Sequence, residues 1–306
     1  MSFKIVFMGT PNFAVPILKS IHDSSHKVLE VYSQPPKKKD RGQKIQNSPV
    51  HDFAINLNIP VRCPVSLDEA KEIDHIKTLK PNLIIVVAYG KILPEKLLNI
   101  DNLIFLNVHA SLLPKWRGAA PIQRAIMNMD SETGISIMKI VPKLDAGPVL
   151  MQSKVKISKE ISHDELSGKM SELGAKLIIE ALELIKNNNA NFKTQDETKV
   201  SYAKKIEKSE TKINWNEDAD VILAKIRAFF PNPGCWFKLE GSRIKIIKAV
   251  RIERSGKAGT IIDNKMTIAC KKNAVRILEL KKEGKKLMLA DEFLKGNKVK
   301  IGQIIN

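Results

Sequence analysis

The chain has 306 residues, of which 43% are hydrophobic, and its formal net charge at pH 7 is +18. This length allows two domains with ordinary cores. The longest apolar run, Leu83 to Tyr89, is too short for the roughly 20 residues of a membrane-spanning helix, and the N-terminus lacks the pattern of a secretory leader. These features predict a cytoplasmic globular protein without a membrane partner. Cys63, Cys235 and Cys270 are odd in number and far apart, so we expect reduced thiols and no metal.

Strands and helices are predicted to alternate through the first half of the chain. The predicted strands are FKIVFMG from Phe3, VLEVYSQ from Val28, NLIIVVAYG from Asn82, NLIFLNV from Asn102 and GISIMKIV from Gly134. Short, wholly apolar strands such as NLIIVVAYG are typical of parallel sheets that are buried on both faces. The pattern therefore predicts an α/β domain with a doubly wound, Rossmann-like and mostly parallel sheet.

Three helix starts carry capping signals. The first predicted helix opens with Thr10 as its cap and Pro11 in its first turn. Ser66 with Glu69, and Ser162 with Glu165, have the spacing of capping boxes. The second box opens a helix predicted from about residue 163 to residue 186, whose apolar stripe closes the α/β domain.

A long basic loop is predicted between the second strand and the helix that begins at Pro49. It runs from Pro35 to Ser48, whereas such connections usually need about two to six residues. Its basic residues are Lys37, Lys38, Lys39, Arg41 and Lys44, against the single acid Asp40. Such a loop is consistent with a solvated surface segment or with contact to a polyanion.

The composition and periodicity of the sequence change after the long helix. The stretch from Asn187 to Glu210 is polar, has no core stripe and predicts a linker along the surface. Beyond one helix around VILAKIRAFF, short strands alternate with turns such as Glu240-Gly241 and Glu283-Gly284, which predicts a small antiparallel, OB-like β-barrel. The predicted domains are a catalytic domain over 1–188, a linker over 189–207 and a basic β-barrel over 208–306.

The positive charge is concentrated in the last third of the chain. Residues 201–306 contain 24 Lys and Arg against 12 Asp and Glu, a net charge of +12, which leaves +6 for the first 200 residues. This distribution is typical of a module that binds nucleic acid, because neutralising phosphates raises affinity. A lysine-rich, solvated surface would produce the same composition.

Three polar residues are candidates for chemistry. The sequence has no GxGxxG, GxxxxGK[ST] or GxSxG motif, so nothing points to a dinucleotide, a nucleoside triphosphate or a serine nucleophile. Asn107 and His109 end an apolar strand and face the same side, and Asp145 lies alone in a Leu-Asp-Ala-Gly-Pro turn. Together they suit acyl transfer to an amine: an amide for an oxyanion, an imidazole for protons and a carboxylate to hold the imidazole. A turn aspartate and a satisfied strand-end histidine remain the simpler alternative.

Four segments favour the catalytic interpretation of these three residues: FMGTPNFAVP, NVHASLLPKWRGAAPIQRAI, ETGISIM with LDAGP, and QDETKVSYAKKI. Together they resemble the methionyl-tRNA formyltransferase family over essentially the whole chain. The resemblance implies transfer of a formyl group from 10-formyltetrahydrofolate to the α-amino group of methionine on initiator tRNA, without a metal. It also implies a role in translation initiation, and we expect a monomer.

The resemblance also implies roles for individual residues. Asn107, His109 and Asp145 match the catalytic positions of the family. Two further segments match the folate site of the family. They are the turn Ser111, Leu112, Leu113 and Pro114, which lies against the folate, and the backbone of Val87, Ala88, Tyr89 and Gly90, which is expected to bind its pterin ring. The loop residues Lys37, Lys38, Lys39, Arg41 and Lys44 match a tRNA-binding loop, in which Arg41 is expected to enter the acceptor stem.

Some positions depart from the family pattern or remain open. Lys143 stands where the family usually has a small or acidic residue, and the basic loop is a variant of the family's Arg-Gly-rich loop. For Trp116 and Arg117, a packed indole and a solvated guanidinium are alternatives to a direct role. Two other functions are weighed: a formyltransferase that acts on a small amine such as an amino sugar nucleotide, and an idle RNA-binding protein on an enzyme scaffold.

Overall fold

A computed structural model of the chain describes residues 2–39, 44–297 and 299–305. The chain divides into two compact units. The first contains the chain up to Pro121, then Glu132–Lys156 and Ser167–Lys204, and the second contains Ile122–Ser131, Ile157–Leu166 and the chain from Lys205 onward. Within the described residues, no helix is both long and apolar enough to cross a membrane.

The strands of the first unit include one seven-stranded sheet and two small two-stranded sheets. In chain order they are β1 (Lys4–Gly9), β2 (Lys27–Tyr32), β3 (Lys37–Lys39), β4 (Lys44–Gln46), β5 (Val61–Arg62), β6 (Leu83–Val87), β7 (Ile104–His109), β8 (Arg117–Gly118), β9 (Glu132–Lys139), β10 (Val149–Lys156) and β11 (Tyr202–Ala203).

The main sheet has the order β10-β9-β7-β6-β1-β2-β5. From β7 to β5 all neighbours are parallel, whereas β9 and β10 are antiparallel additions at one edge. All five residues of β6 are buried, which fits a strand covered on both faces. The predicted doubly wound, mostly parallel sheet is therefore confirmed. Its parallel strands bring the residues that follow β1, β2, β6 and β7 to one edge of the sheet.

The helices agree with the predicted alternation, although two of the predicted starts are wrong. They are α1 (Val15–His22), α2 (Pro49–Asn56), α3 (Ala70–Leu79), α4 (Glu95–Leu98), α5 (Pro121–Met127) and α6 (His163–Lys186). Thr10 does not cap α1, because its hydroxyl donates instead to the Tyr89 carbonyl at 2.9 Å. Ser66 accepts from the nearby Asp68 N–H, a local turn that delays α3 until Ala70. The predicted box of Ser162 and Glu165 is confirmed.

Two stretches predicted as irregular contain short strands. The basic loop after β2 contains a hairpin in which β3 and β4 pair antiparallel. The polar stretch after α6 is not a free surface linker, because β11 pairs with β8 and Ala203 is 1% exposed. Local composition did not reveal either pairing.

The second unit is built around a five-stranded antiparallel sheet. Its elements are α7 (Ala219–Phe229), β12 (Trp236–Leu239), β13 (Ser242–Ile252), β14 (Thr267–Ala269), β15 (Ala274–Lys282), β16 (Met288–Leu289) and α8 (Ala290–Gly296). The order is β12-β13-β15-β14, and β16 also pairs with β15. The predicted turn at Glu240-Gly241 joins β12 to β13, with φ of 48° and 75° at its two residues. The predicted small antiparallel β domain is confirmed.

Candidate active site

Asn107, His109 and Asp145 lie together at the carboxyl edge of the parallel strands. Asn107 Nδ2 is 3.4 Å from Asp145 Oδ1, and His109 Nδ1 is 3.6 Å from Asp145 Oδ2. Val108, between the two β7 residues, faces the other side and is 3% exposed. The alternating pleat and the turn after β9 thus bring together three side chains separated by as many as 38 positions.

Neighbouring strands fix the β7 residues in the sheet. Asn107 is paired with Val86 of β6 and Met138 of β9, and His109 is paired with Ser136 of β9. His109 is only 6% exposed. Its position is therefore set by a strand that is paired on both sides.

The imidazole of His109 is oriented by a backbone carbonyl. Its Nε2 lies 3.0 Å from the carbonyl oxygen of Trp116. A carbonyl can only accept a hydrogen bond, so Nε2 must carry a proton. The nitrogen left to gain or lose a proton is Nδ1, which faces Asp145.

Asp145 is held at both its side chain and its backbone. Oδ2 accepts from the Gly118 N–H at 2.8 Å, and the Asp145 carbonyl accepts from Gln195 Nε2 at 2.9 Å. Its φ of 46° is left-handed, which a residue other than glycine adopts at a cost. The carboxylate thus has a fixed position between Asn107 and His109.

A hydrogen-bond network supports the turn from Ser111 to Pro114. Ser136 Oγ donates to the Ser111 carbonyl at 2.6 Å and accepts from the Leu113 N–H at 3.1 Å. Gln152 Nε2 donates to the Leu113 carbonyl at 2.9 Å and to Ser136 Oγ at 2.8 Å. The peptide bond between Leu113 and Pro114 is cis. Leu112 is half-buried, whereas its neighbours Ser111 and Leu113 are buried.

The segment Val87–Gly90 leaves β6 at the same sheet edge. Ala88 and Gly90 are exposed and have left-handed φ of 46° and 79°, whereas Tyr89 is buried. Burial raises the pKa of the Tyr89 phenol. The Tyr89 carbonyl accepts from Thr10 and from Gln34 Nε2, which also donates to the Gly90 carbonyl. Gln34 would collide with a side chain at Gly90, because a Cβ there would lie 2.4 Å from Nε2.

The basic hairpin also follows a parallel strand. Lys37 and Lys38 on β3 are exposed, and Lys37 Nζ donates to Gln34 Oε1 at 2.6 Å. Lys39 pairs with Lys44 through the backbone. Gln34 therefore connects this hairpin to the Tyr89–Gly90 turn. Arg41 lies outside the described residues.

Sequence reasoning missed a polar cluster beside Asp145, in which Arg117 and Gln195 are buried and Lys143 and Glu197 are exposed. Arg117 is 1% exposed, so the predicted alternative of a solvated guanidinium is wrong. Its Nε and Nη2 donate to Gln195 Oε1, and Nη2 also donates to Glu197 at 2.7 Å. Lys143 Nζ donates to the second oxygen of Glu197 at 2.6 Å. The hydrogen bonds from Arg117 and Lys143 lower the pKa of Glu197 to about 2.

The second unit contains a cavity of about 1100 Å³. Isoleucine, valine and phenylalanine side chains line it together with seven acidic residues and four basic ones. None of the candidate residues belongs to its lining. The excess of acidic groups also makes this cavity unsuitable for phosphates. Its volume is therefore no reason to place the reaction there.

Two family models match the chain. The model described as formyl transferase matches residues 3–182, and the model of the formyl transferase C-terminal domain matches residues 205–298. The chain therefore belongs to the class of formyl transferases.

Similar full-length proteins narrow this class. The chain is 47% identical to a methionyl-tRNA formyltransferase of Pelagibacter ubique over 98% of this chain and 97% of that protein. It is 43% identical to a methionyl-tRNA formyltransferase of Paramagnetospirillum magneticum over 99% of each. The chain belongs to the methionyl-tRNA formyltransferase family.

Solved structures share the fold at lower identity. HypX from Aquifex aeolicus in complex with tetrahydrofolic acid has a TM-score of 0.68 and 18% identity, and the match covers 99% of this chain and 51% of HypX. An N-formyltransferase from Helicobacter canadensis, in complex with folinic acid and dTDP-3-aminofucose, has a TM-score of 0.65 and 22% identity, over 90% of this chain and 99% of that one. At these identities the likeness concerns the fold alone.

Proposed function

We propose that this chain transfers the formyl group of 10-formyltetrahydrofolate to the α-amino group of methionine on initiator tRNA. The cluster of Asn107, His109 and Asp145 carries the proposal, because it places an amide donor 3.4 Å and an imidazole nitrogen 3.6 Å from the two oxygens of one carboxylate. Relatives named for this reaction match nearly the full length of the chain.

The reaction needs charge stabilisation and balanced proton transfer. The methionyl nitrogen forms a bond to the formyl carbon, the bond from that carbon to the folate nitrogen breaks, and one proton moves from the attacking nitrogen to the leaving nitrogen. Negative charge develops on the formyl oxygen as the attack proceeds. Donors fixed in advance around that oxygen are the largest expected source of rate acceleration.

In the proposal Asn107 supplies such a donor and His109 takes part in the proton transfer. An asparagine amide has two N–H bonds, of which one is directed at Asp145 and the other can be donated to the formyl oxygen. The Trp116 carbonyl holds Nε2–H of His109, so Nδ1 is the atom that donates or accepts a proton. Asp145 stabilises the positive imidazolium that results.

The formyl donor is proposed to bind along the same sheet edge. Ala88 and Gly90 are exposed at the end of the strand next to β7, and the Ser111–Pro114 turn is held by Ser136, the β9 partner of His109. Folate compounds in the structures of HypX and of the Helicobacter canadensis enzyme support a tetrahydrofolate-type donor for this fold.

The tRNA is proposed to meet two basic regions. The hairpin carries exposed Lys37 and Lys38, with Lys39, Arg41 and Lys44 completing its charge, and residues 201–306 have a net charge of +12. Positive surface of this kind gives affinity for phosphates without sequence information.

A formylation assay tests the proposal. The purified chain is incubated with labelled 10-formyltetrahydrofolate and one of three acceptors: methionyl initiator tRNA, methionine methyl ester or an amino sugar nucleotide. The expected result is fast labelling of the charged tRNA and slow labelling of the ester. Preferential labelling of the sugar nucleotide would replace the proposal with the small-amine function, and no labelling of any acceptor would reject formyl transfer.

A further inference from the structure

A segment beyond the long helix α6 is hydrogen-bonded to the candidate active site. This bracing segment, defined as Gln195–Ala203, contacts the backbone that holds Asp145 and the backbone that holds His109. We propose that Gln195, at the start of the bracing segment, is a positioning residue for Asp145. The inference rests on the proposed function for the identity of the reaction.

Gln195 uses its whole amide group. Its Nε2 donates to the Asp145 carbonyl at 2.9 Å and to the Gly147 carbonyl at 2.7 Å. Its Oε1 accepts from Arg117 Nε at 3.1 Å and Nη2 at 2.9 Å. A guanidinium can only donate and a carbonyl can only accept, so the orientation of the amide is determined. Gln195 is 7% exposed. It acts as a clamp that joins the Asp145–Gly147 turn to Arg117.

The turn at Asp145 requires such a clamp. A left-handed φ at a residue other than glycine costs of order 1–3 kcal/mol and persists only where the surroundings impose it. Gly147 lies close to the end of β9, since a Cβ there would be 1.9 Å from the Lys139 carbonyl oxygen. Gln195 binds the carbonyls of both Asp145 and Gly147, and it thereby fixes the turn that presents the carboxylate.

The bracing segment also orients the carbonyl that holds His109. The peptide group between Trp116 and Arg117 accepts from His109 Nε2 through its oxygen and donates to the Ser201 carbonyl through its N–H at 2.9 Å. Ser201 Oγ accepts from the Trp116 N–H at 3.0 Å. One peptide plane therefore lies between the imidazole and the bracing segment.

Close packing keeps the segment against this loop. The Ala203 carbonyl accepts from the N–H groups of Ala119 and Ala120 at 2.8 and 3.2 Å. Gly118 has φ of 123°, and a Cβ there would lie 2.7 Å from the Ala203 oxygen. A side chain at position 118 would therefore separate the loop from the segment.

These contacts imply an effect on rate more than on binding. A displacement of about 1 Å of a catalytic group can lower a rate about 100-fold, although substrates still bind. Gln195 touches neither the formyl oxygen nor the amine in the proposed reaction. Its loss should lower kcat and leave the KM for the formyl donor nearly unchanged.

Gln195→Glu in the full-length chain is the sharpest test. The glutamate keeps an acceptor for Arg117 but cannot donate to the Asp145 and Gly147 carbonyls when it is ionised. We expect kcat for methionyl initiator tRNA to fall roughly 10- to 100-fold. The KM for 10-formyltetrahydrofolate should stay within about threefold and the fold should remain intact by circular dichroism. Lys199→Ala is the matched control, because Lys199 is in the same segment with a side chain 72% exposed, and its kcat should stay within about twofold.

A second variant and a crystal structure distinguish loss of the Gln195 clamp from misfolding of the variant. Arg117→Lys keeps the charge but loses the planar fork that orients Gln195, so kcat should fall in the same direction. A crystal structure of the Gln195→Glu variant should show the Asp145 carboxylate displaced from Asn107. Wild-type kcat in the variant together with an unmoved Asp145 would overturn the inference. An inactive wild-type chain would overturn the proposed function instead, and the position of Asp145 in the variant would still decide whether Gln195 fixes it.

Discussion

Two segments leave the same edge of the main sheet and differ in how they are held. The loop from His109 to Gly118 has its backbone bonded to Ser136, Gln152 and Ser201. The hairpin formed by β3 and β4 pairs with itself, its Lys37 and Lys38 are exposed, and Ile45 on β4 is 71% exposed.

The difference follows from what each segment has to do. Stabilising a developing charge requires donors that are already in place, because their reorganisation would cost rate. Attracting a long polyanion requires accessible positive charge and tolerates an imprecise position. Changes in the braced loop should therefore lower kcat, and changes in the hairpin should raise the KM for tRNA and alter its salt dependence.

The largest effect is expected from the three convergent side chains. His109→Ala and Asn107→Ala should each lower kcat by about two to four orders of magnitude, the usual scale for losing a proton-transfer group or an oxyanion donor. Asp145→Asn should have a comparable effect, because it removes the charge and keeps the shape. Single-turnover formylation measures the chemical step directly. Near-normal turnover in any variant would remove that residue from the mechanism.

A smaller effect is expected from Gly118→Ala. The new methyl group would meet the Ala203 carbonyl, and φ of 123° is unfavourable for alanine. The Gly118 N–H would then leave Asp145 Oδ2, so kcat should fall roughly 10- to 100-fold. The free energy of unfolding should fall by about 1–3 kcal/mol. Gly241→Ala, at another left-handed glycine with open space around its Cβ, is a control that should lose stability and keep kcat.

The hairpin should affect recognition and not chemistry. The double change Lys37→Gln and Lys38→Gln should raise the KM for initiator tRNA several-fold and leave turnover of methionine methyl ester unchanged. If both lysines contact phosphates, the slope of log affinity against log salt should become shallower by about one to two units. Arg41→Leu should act in the same way. Equal losses on tRNA and on the ester would contradict the division between the two segments.

The smallest effect is expected at Glu197. Its pKa is lowered to about 2, from an ordinary value of 4.5, by hydrogen bonds from Arg117 and Lys143. Because the folded-state pKa is depressed, the stabilising contribution is fully present above about pH 4.5 and disappears as the pH falls through about 2. Glu197→Gln should therefore lower the denaturation midpoint slightly at pH 7 and show a smaller difference from wild type near pH 2. Since Glu197 is exposed, kcat at pH 7 should change by less than about threefold.

Local sequence patterns predicted the elements that local physics determines. A contiguous apolar run located β7, and the two-residue period of a strand placed Asn107 and His109 on one face. The pairing of Ser162 with Glu165 located the start of α6, because a capping box is satisfied within four residues. Similar signals failed at Thr10 and Ser66, whose hydroxyl groups have other partners.

The support of the candidate site was not predictable in this way. Gln195 lies in a polar stretch without periodicity, and its partner Arg117 is 78 positions earlier. Neither residue type indicates that the other will be buried beside it. Lys143 appeared as a departure from a family pattern until its contact with Glu197 was visible. Contacts between polar residues far apart in the chain can be identified only in the folded structure, whereas strands and helix caps can be predicted from local sequence.

The bracing segment has a consequence for the order in which the enzyme becomes active during its own synthesis. The Gln195 clamp closes a contact 50 residues beyond Asp145, and the Ser201 and Ala203 contacts come still later in the chain. A ribosome-bound nascent chain can form the parallel sheet once β7 has emerged, yet its strained Asp145 turn has no clamp until Gln195 has left the exit tunnel, and the loop at Gly118 has no support until Ala203 has followed. We therefore expect formylation competence to arise late in synthesis, and engineered fusions should place their junction after Lys204.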